Sequence, residues 1–123
     1  MSTPTYKDAN GNLIYTKPDS APAFVGGNKA MMSYLKDNVK FPKDALDKQE
    51  EGLVFVDFVI TKSGIVRDVE VTEQTNEDVD PSFRSEAARV VSSMPHWVPG
   101  RQNGKAVDVK FSLPVSFEIQ QTD

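Results

Sequence analysis

At 123 residues, 38% hydrophobic and 26% charged, the chain has one domain's worth of length and a composition that excludes the disordered class. Its net charge of −4 comes with Lys and Arg scattered singly, and it has no cysteine, which argues against nucleic acid and removes disulfides, thiolate metal sites and cysteine nucleophiles together. The strongest apolar run, residues 53–60, is interrupted by Asp57 and falls far short of the ~20 residues a membrane-spanning helix needs.

In chain order, residues 1–5 lack the basic-then-apolar pattern of a signal peptide, so a cytosolic chain or a piece of a longer one is expected. Asn10-Gly11 then lies between Tyr6 on one side and Leu13, Ile14 and Tyr15 on the other, a setting that predicts a tight hairpin turn. Asp8, Asn10 and Asn12 imitate a calcium loop. The glycine stands at the fourth position where an EF-hand needs it at the sixth, and no bidentate glutamate follows, so a polar turn is the better reading. Pro18 and Pro22 hold the next stretch extended. Residues 1–21 are therefore expected to form an N-terminal extension, hairpin then linker, ahead of a packed domain over 22–120.

Met31, Met32, Leu35 and Val39 recur at helical spacing after Gly26-Gly27 and predict a helix over 28–39, N-capped by Asn28 and stopped before Pro42. From 53 to 61, Val54, Val56, Phe58 and Ile60 alternate with Phe55, Asp57 and Val59, the pattern of a strand. Lys62-Ser63-Gly64 turns the chain, and residues 65–72 return. Val66 differs in parity from Val69 and Val71, which predicts a bulge or a change of face.

Asp80-Pro81 is a helix start in two residues: the carboxylate accepts from free N–H groups of the first turn, and the proline has none to leave unpaired. Phe83, Ala87, Val90, Val91 and Met94 mark the buried face of that helix. Over 107–117 the odd positions are apolar and the even ones polar or proline, which predicts a strand with one buried face. Pro114 has no donor for a neighbour, so the strand is expected at a sheet edge. The fold class that follows is α+β: two helices packed on a small three-stranded antiparallel sheet, with the last strand at the edge.

Catalytic patterns are missing. His96, the one histidine, has no nucleophile or orienting carboxylate at a recognisable spacing, and it cannot assemble a zinc site without cysteine. Glu73, Glu77, Asp78 and Asp80 read as a solvated loop ending in a helix cap, and Gly26-Gly27 lacks the strand and lysine of a phosphate loop. Met31, Met32, Phe41, Phe83, Trp97, Phe111 and Phe117 read as core. The chain is not read as an enzyme, and no metal or cofactor is expected. What remains is the last strand, whose unpaired edge is a hazard unless guarded or made for pairing with another chain. Asp108, Lys110 and Pro114 are the guards in the first case.

Several stretches together resemble the TonB C-terminal domain family in the form common among Bacteroidetes transducers. They are Pro22-Ala23-Phe24-Val25-Gly26-Gly27; Tyr34-Leu35, Asn38 and Phe41-Pro42; Gly52, Val54, Val56, Phe58 and Ile60; Gly64, Val66 and Asp68-Val69; Glu86-Ala87 and Arg89-Val90-Val91; Met94-Pro95, Trp97 and Pro99-Gly100; Asn103-Gly104-Lys105; and Leu113-Pro114-Val115 with Phe117. The resemblance implies a periplasmic domain of an energy transducer. Such a domain binds the Ton box of outer-membrane receptors by β-addition, while an anchor helix, expected outside this chain, engages a proton-driven motor complex in the inner membrane. Carried onto this sequence, the contact strand is Val107, Asp108, Val109, Lys110, Phe111, Ser112 and Leu113, with Asn38 as a polar amide ahead of the aromatic-proline pair. The alternative is a stand-alone or sensor-associated interaction module that uses the same edge to form a homodimer.

Overall fold

The structure, a computed structural model, describes residues 5–119; residues 1–4 of the expected extension and residue 120, the expected end of the domain, lie outside the described residues. Eleven elements follow one another: β1 (Thr5–Lys7), β2 (Leu13–Tyr15), β3 (Ala23–Phe24), α1 (Gly27–Asn38), α2 (Lys43–Asp47), β4 (Gly52–Ile60), β5 (Val66–Val71), α3 (Pro81–Ser92), β6 (Trp97–Val98), β7 (Gly100–Gln102) and β8 (Lys105–Phe117). The class is α+β, as expected. The sheet is larger than the three strands predicted: six strands run in the order β1-β2-β8-β4-β5 with β7 beside β8, and β3 pairs separately with β6.

The predicted β4–β5 hairpin forms, and its register shifts between Asp57 and Val59, with Asp68 in left-handed backbone at φ 54°. That extra residue is the bulge implied by the parity change from Val66 to Val69. At the turn, Gly64 has φ +81° and lies where a Cβ would stand 2.2 Å from the Trp97 carbonyl oxygen. Its own carbonyl accepts the Trp97 N–H at 2.8 Å, which fastens the turn to β6. β8 then runs antiparallel along the whole of β4, from Gly52↔Phe117 to Ile60↔Val109. A two-residue Asn103-Gly104 turn with both φ values positive, 53° and 80°, folds β7 onto the start of β8.

α3 begins as predicted, with the Asp80 carboxylate accepting the Ser82 N–H at 2.8 Å. The Ser82 hydroxyl also donates to that carboxylate, at 2.6 Å, and it, followed by the N–H, holds the Asp80 carboxyl below its ordinary value. α1 begins differently. Its N-cap is Gly26 at φ 93°, without a side-chain cap, and Asn28 sits inside the first turn. The third helix, α2, has five residues and one buried side chain, Ala45.

The core lies between the sheet and the helices. Val54, Val56, Phe58 and Ile60 of β4 and Leu113, Val115 and Phe117 of β8 pack against Phe83, Ala87, Val90 and Val91 of α3. Phe83 stacks on Phe117 with centroids 4.5 Å apart, and Phe41 meets both edge-on. Met31 joins this core at 8% exposure, but Met32, expected there too, is 62% exposed.

Candidate interaction site on the last strand

In a strand, each residue's N–H and C=O point to one flank and those of its neighbours to the other. Phe55 donates its N–H to Thr75 Oγ1 at 2.9 Å and accepts the Thr72 N–H at 2.9 Å, both on the β5 side. Its partner across the sheet is Pro114, so this pair exchanges no backbone bonds and Pro114 directs its backbone away from β4. By alternation Ser112 and Ser116 also face outward, while Phe111, Leu113 and Val115 bond to β4. The strand tolerates its proline because the missing donor belongs to the outer flank.

The seven predicted contact residues divide into two groups. Val107 is paired by Gly100 of β7, and Asp108 and Val109 are paired in parallel by Ile14 and Tyr15 of β2. Over this stretch the expectation of an edge strand is corrected: β8 lies inside the sheet, because the N-terminal hairpin docks there and buries Ile14 completely. Because Val109 turns its own backbone to β4, its parallel pairing with Tyr15 uses the outward groups of Asp108 and Lys110. From Phe111 through Ser112 and Leu113, and onward to Phe117, no described residue pairs with the outer flank. β8 is an inner strand in its first half and an edge strand in its second.

Arg67 latches the hairpin in place. Its guanidinium lies 3.2 Å from Asp8 in the hairpin turn and 3.6 Å from Asp108 of β8, and it also pairs with Asp68. Burial works to lower the Arg67 pKa, but the three carboxylates outweigh it and raise the value. The Asp8 carboxylate accepts the N–H groups of Asn12 and Asn10 at 2.9 Å each, and these bonds, Asn12 first, hold its pKa below the ordinary value. On the solvent face, Asp57 accepts from Ser112 Oγ at 2.5 Å and from Lys110 Nζ at 3.2 Å. The Lys110 and Ser112 side chains are thereby tied down, while the backbone of the second half of β8 stays open.

Asn38 stands apart from the open flank. Its Nδ2 donates to the Tyr34 carbonyl at 2.8 Å and its own carbonyl accepts from Arg89 at 2.8 Å, so it closes the last turn of α1. Arg89 in turn holds Glu86 below the usual carboxylate range, helped by the Lys40 N–H.

Sequence reasoning missed the feature beside the open half: a groove of about 980 Å³ whose walls are α1 and residues 113–118. Lys29, Met32, Ser33 and Lys36 form its stripe on α1. The signal was the 3- and 4-residue spacing of that set, one step around the helix from the Met31 and Leu35 stripe. Among the described residues no three His, Cys, Asp or Glu side chains gather into a metal site, His96 is exposed, and no helix is long and apolar enough to cross a membrane.

Among the described residues β1 and β5 are the outer strands of the sheet, and the second half of β8 leaves a further flank open beside a groove, which defines the chain as a small two-layer α+β module with an accessible sheet edge. The family described as Gram-negative bacterial TonB protein C-terminal matches residues 37–119, and the chain belongs to that family. TonB C-terminal domains are non-enzymatic interaction domains, periplasmic in Gram-negative bacteria, and bind outer-membrane receptors in general. The chain is also similar to the NMR solution structure of the Helicobacter pylori TonB C-terminal domain (residues 194–285). That match has 18% identity and a TM-score of 0.48, and covers 76% of this chain and 95% of that one. No curated protein matches the chain.

Proposed function

We propose that this domain binds the Ton box of an outer-membrane TonB-dependent receptor by strand addition, and so forms the periplasmic end of an energy transducer. The observation that carries the reading is the outer flank of β8 from Phe111 to Phe117, which no described residue pairs. Outward N–H and C=O groups on Ser112 and Ser116, and the Pro114 carbonyl, offer a ladder to an extended peptide. The contact residues are then Phe111, Ser112 and Leu113 of the predicted set, extended to Phe117. Val107, Asp108, Val109 and Lys110 serve the site by holding β8 in register, and Asn38 by closing α1.

About five backbone bonds at ~1 kcal/mol net each, partly offset by ordering the peptide, give roughly micromolar affinity. Ladder bonds lie across the strand axis, so a pull along the axis loads them together. A contact that is weak at equilibrium then passes force briefly before it releases, as coupling to an inner-membrane proton-driven motor requires.

The test is an NMR titration of the domain with plug peptides from receptors of its own organism. Shifts concentrated on the amides of residues 111–117 support the reading. Saturable binding that leaves those amides unmoved overturns it.

A further inference from the structure

The open flank of β8 and the exposed face of α1 are two walls of one groove. A strand added beside β8 continues the pleat of the sheet, so its alternate side chains point to the face that carries Leu113, Val115 and Phe117. That face is the one α1 covers, since Met31 shares a core cluster with all three. The alternate side chains of an added strand therefore enter the groove. They meet Met32 there, 62% exposed beside its buried neighbour, a thioether chain that adapts its shape to different apolar partners.

Lys29 and Lys36 flank Met32 at i−3 and i+4 on the same stripe, and both are exposed. Neither is ion-paired among the described residues. The one acidic residue in the lining is Glu118. The groove thus presents an apolar centre between two unpaired cations.

We propose that this groove reads the side chains of the docked segment, selecting an extended peptide with apolar residues at alternate positions and a carboxylate adjacent to them. The inference rests on strand addition and adds selectivity to it: β8 holds the backbone, whatever the sequence, and α1 decides which sequence stays. A second copy of the chain is a poor occupant, because it brings its own Lys29 and Lys36 to the same groove and like charges oppose the pairing.

The test uses a host octapeptide alternating Thr and Val with one terminal Glu, titrated by NMR. Three relatives accompany it: Glu→Lys, all Val→Ser, and a version N-methylated along the edge that faces β8. Each is measured on the wild-type domain, on Lys29→Glu/Lys36→Glu and on Met32→Asp, with amide spectra confirming that these surface variants stay folded. On wild type, Glu→Lys weakens binding roughly two- to fivefold per ion pair lost. On the charge-reversed domain the preference inverts, and Met32→Asp removes most of the advantage of Val over Ser.

Loss of binding on N-methylation, with identical Glu/Lys and Val/Ser preferences on all three domains, overturns the groove proposal and leaves strand addition standing. Undiminished binding of the N-methylated peptide overturns strand addition and the groove proposal with it, as does absence of binding by the host peptide at millimolar concentration. Sedimentation showing a dimer that the host peptide cannot dissociate assigns the groove to a second copy and overturns the proposal as well.

Discussion

Replacing Ser112 with proline deletes the N–H at the middle of the open flank and spares the ladder to β4, because Ser112 shares the outward orientation of Pro114. The cost to folding is the hydroxyl bond to Asp57, 2.5 Å long and worth about 1 kcal/mol, together with the narrower φ of proline. Ser112→Ala isolates the first of these, since it lacks the hydroxyl and keeps the N–H. For a docked peptide, one lost donor amounts to about 0.5–1.5 kcal/mol, or roughly a two- to thirteenfold rise in Kd. The proline ring also fills the space of the incoming carbonyl, which moves the expected effect to the upper end, about tenfold.

Val109→Pro behaves in the opposite way. Val109 pairs with Ile60 inside the sheet and its side chain is 2% exposed, so proline there breaks an internal bond and removes packing, at about 3 kcal/mol or more. Isothermal titration calorimetry with a receptor plug peptide reads the first effect, and urea unfolding reads the second. If Ser112→Pro binds as well as both Ser112→Ala and wild type, the peptide docks elsewhere. If Ser112→Pro unfolds as readily as Val109→Pro, the outward orientation of the Ser112 backbone is wrong.

Ile14→Ala empties a fully buried site under the N-terminal hairpin, and urea unfolding should show a loss of about 2–5 kcal/mol. Gly64→Ala sets a Cβ 2.2 Å from the Trp97 carbonyl at φ +81°; a drop of at least about 1–3 kcal/mol is expected, with altered Trp97 fluorescence. Asp8, Asp80 and Glu86 have folded-state pKa values below their ordinary 3.8, 3.8 and 4.5. Their contribution is therefore complete above those values and is lost as pH falls through the lower folded ones. Urea midpoints should hold from pH 7 to about 5 and decline below about 4.5, with Asp80→Asn showing a shallower decline than wild type.

The parts of the fold visible in the sequence are those specified by neighbours along the chain. Asp80-Pro81 announced α3 because capping is local, and the alternation from Val54 to Ile60 announced β4, a strand of nine residues. α2 escaped notice because five residues with one buried side chain carry no readable period. The edge was half right for a related reason. Pro114 reports on its own outward flank, but what covers Asp108 and Val109 is a three-residue strand joined from the far end of the chain, a pairing decided by tertiary packing. Met32 was misplaced because two adjacent methionines satisfy a helical pattern equally, and only the docking of α1 decides which faces inward.

Pro114 has a consequence for solubility. An open strand flank is a template on which a protein can stack copies of itself, and fibre growth needs an unbroken row of donors passed from each layer to the next. Here the row is broken midway along the exposed stretch, and two such flanks laid antiparallel meet the gap once from each side. A short foreign segment meets it only once. The proline makes the edge a poor seed for its own kind while leaving it receptive to guests.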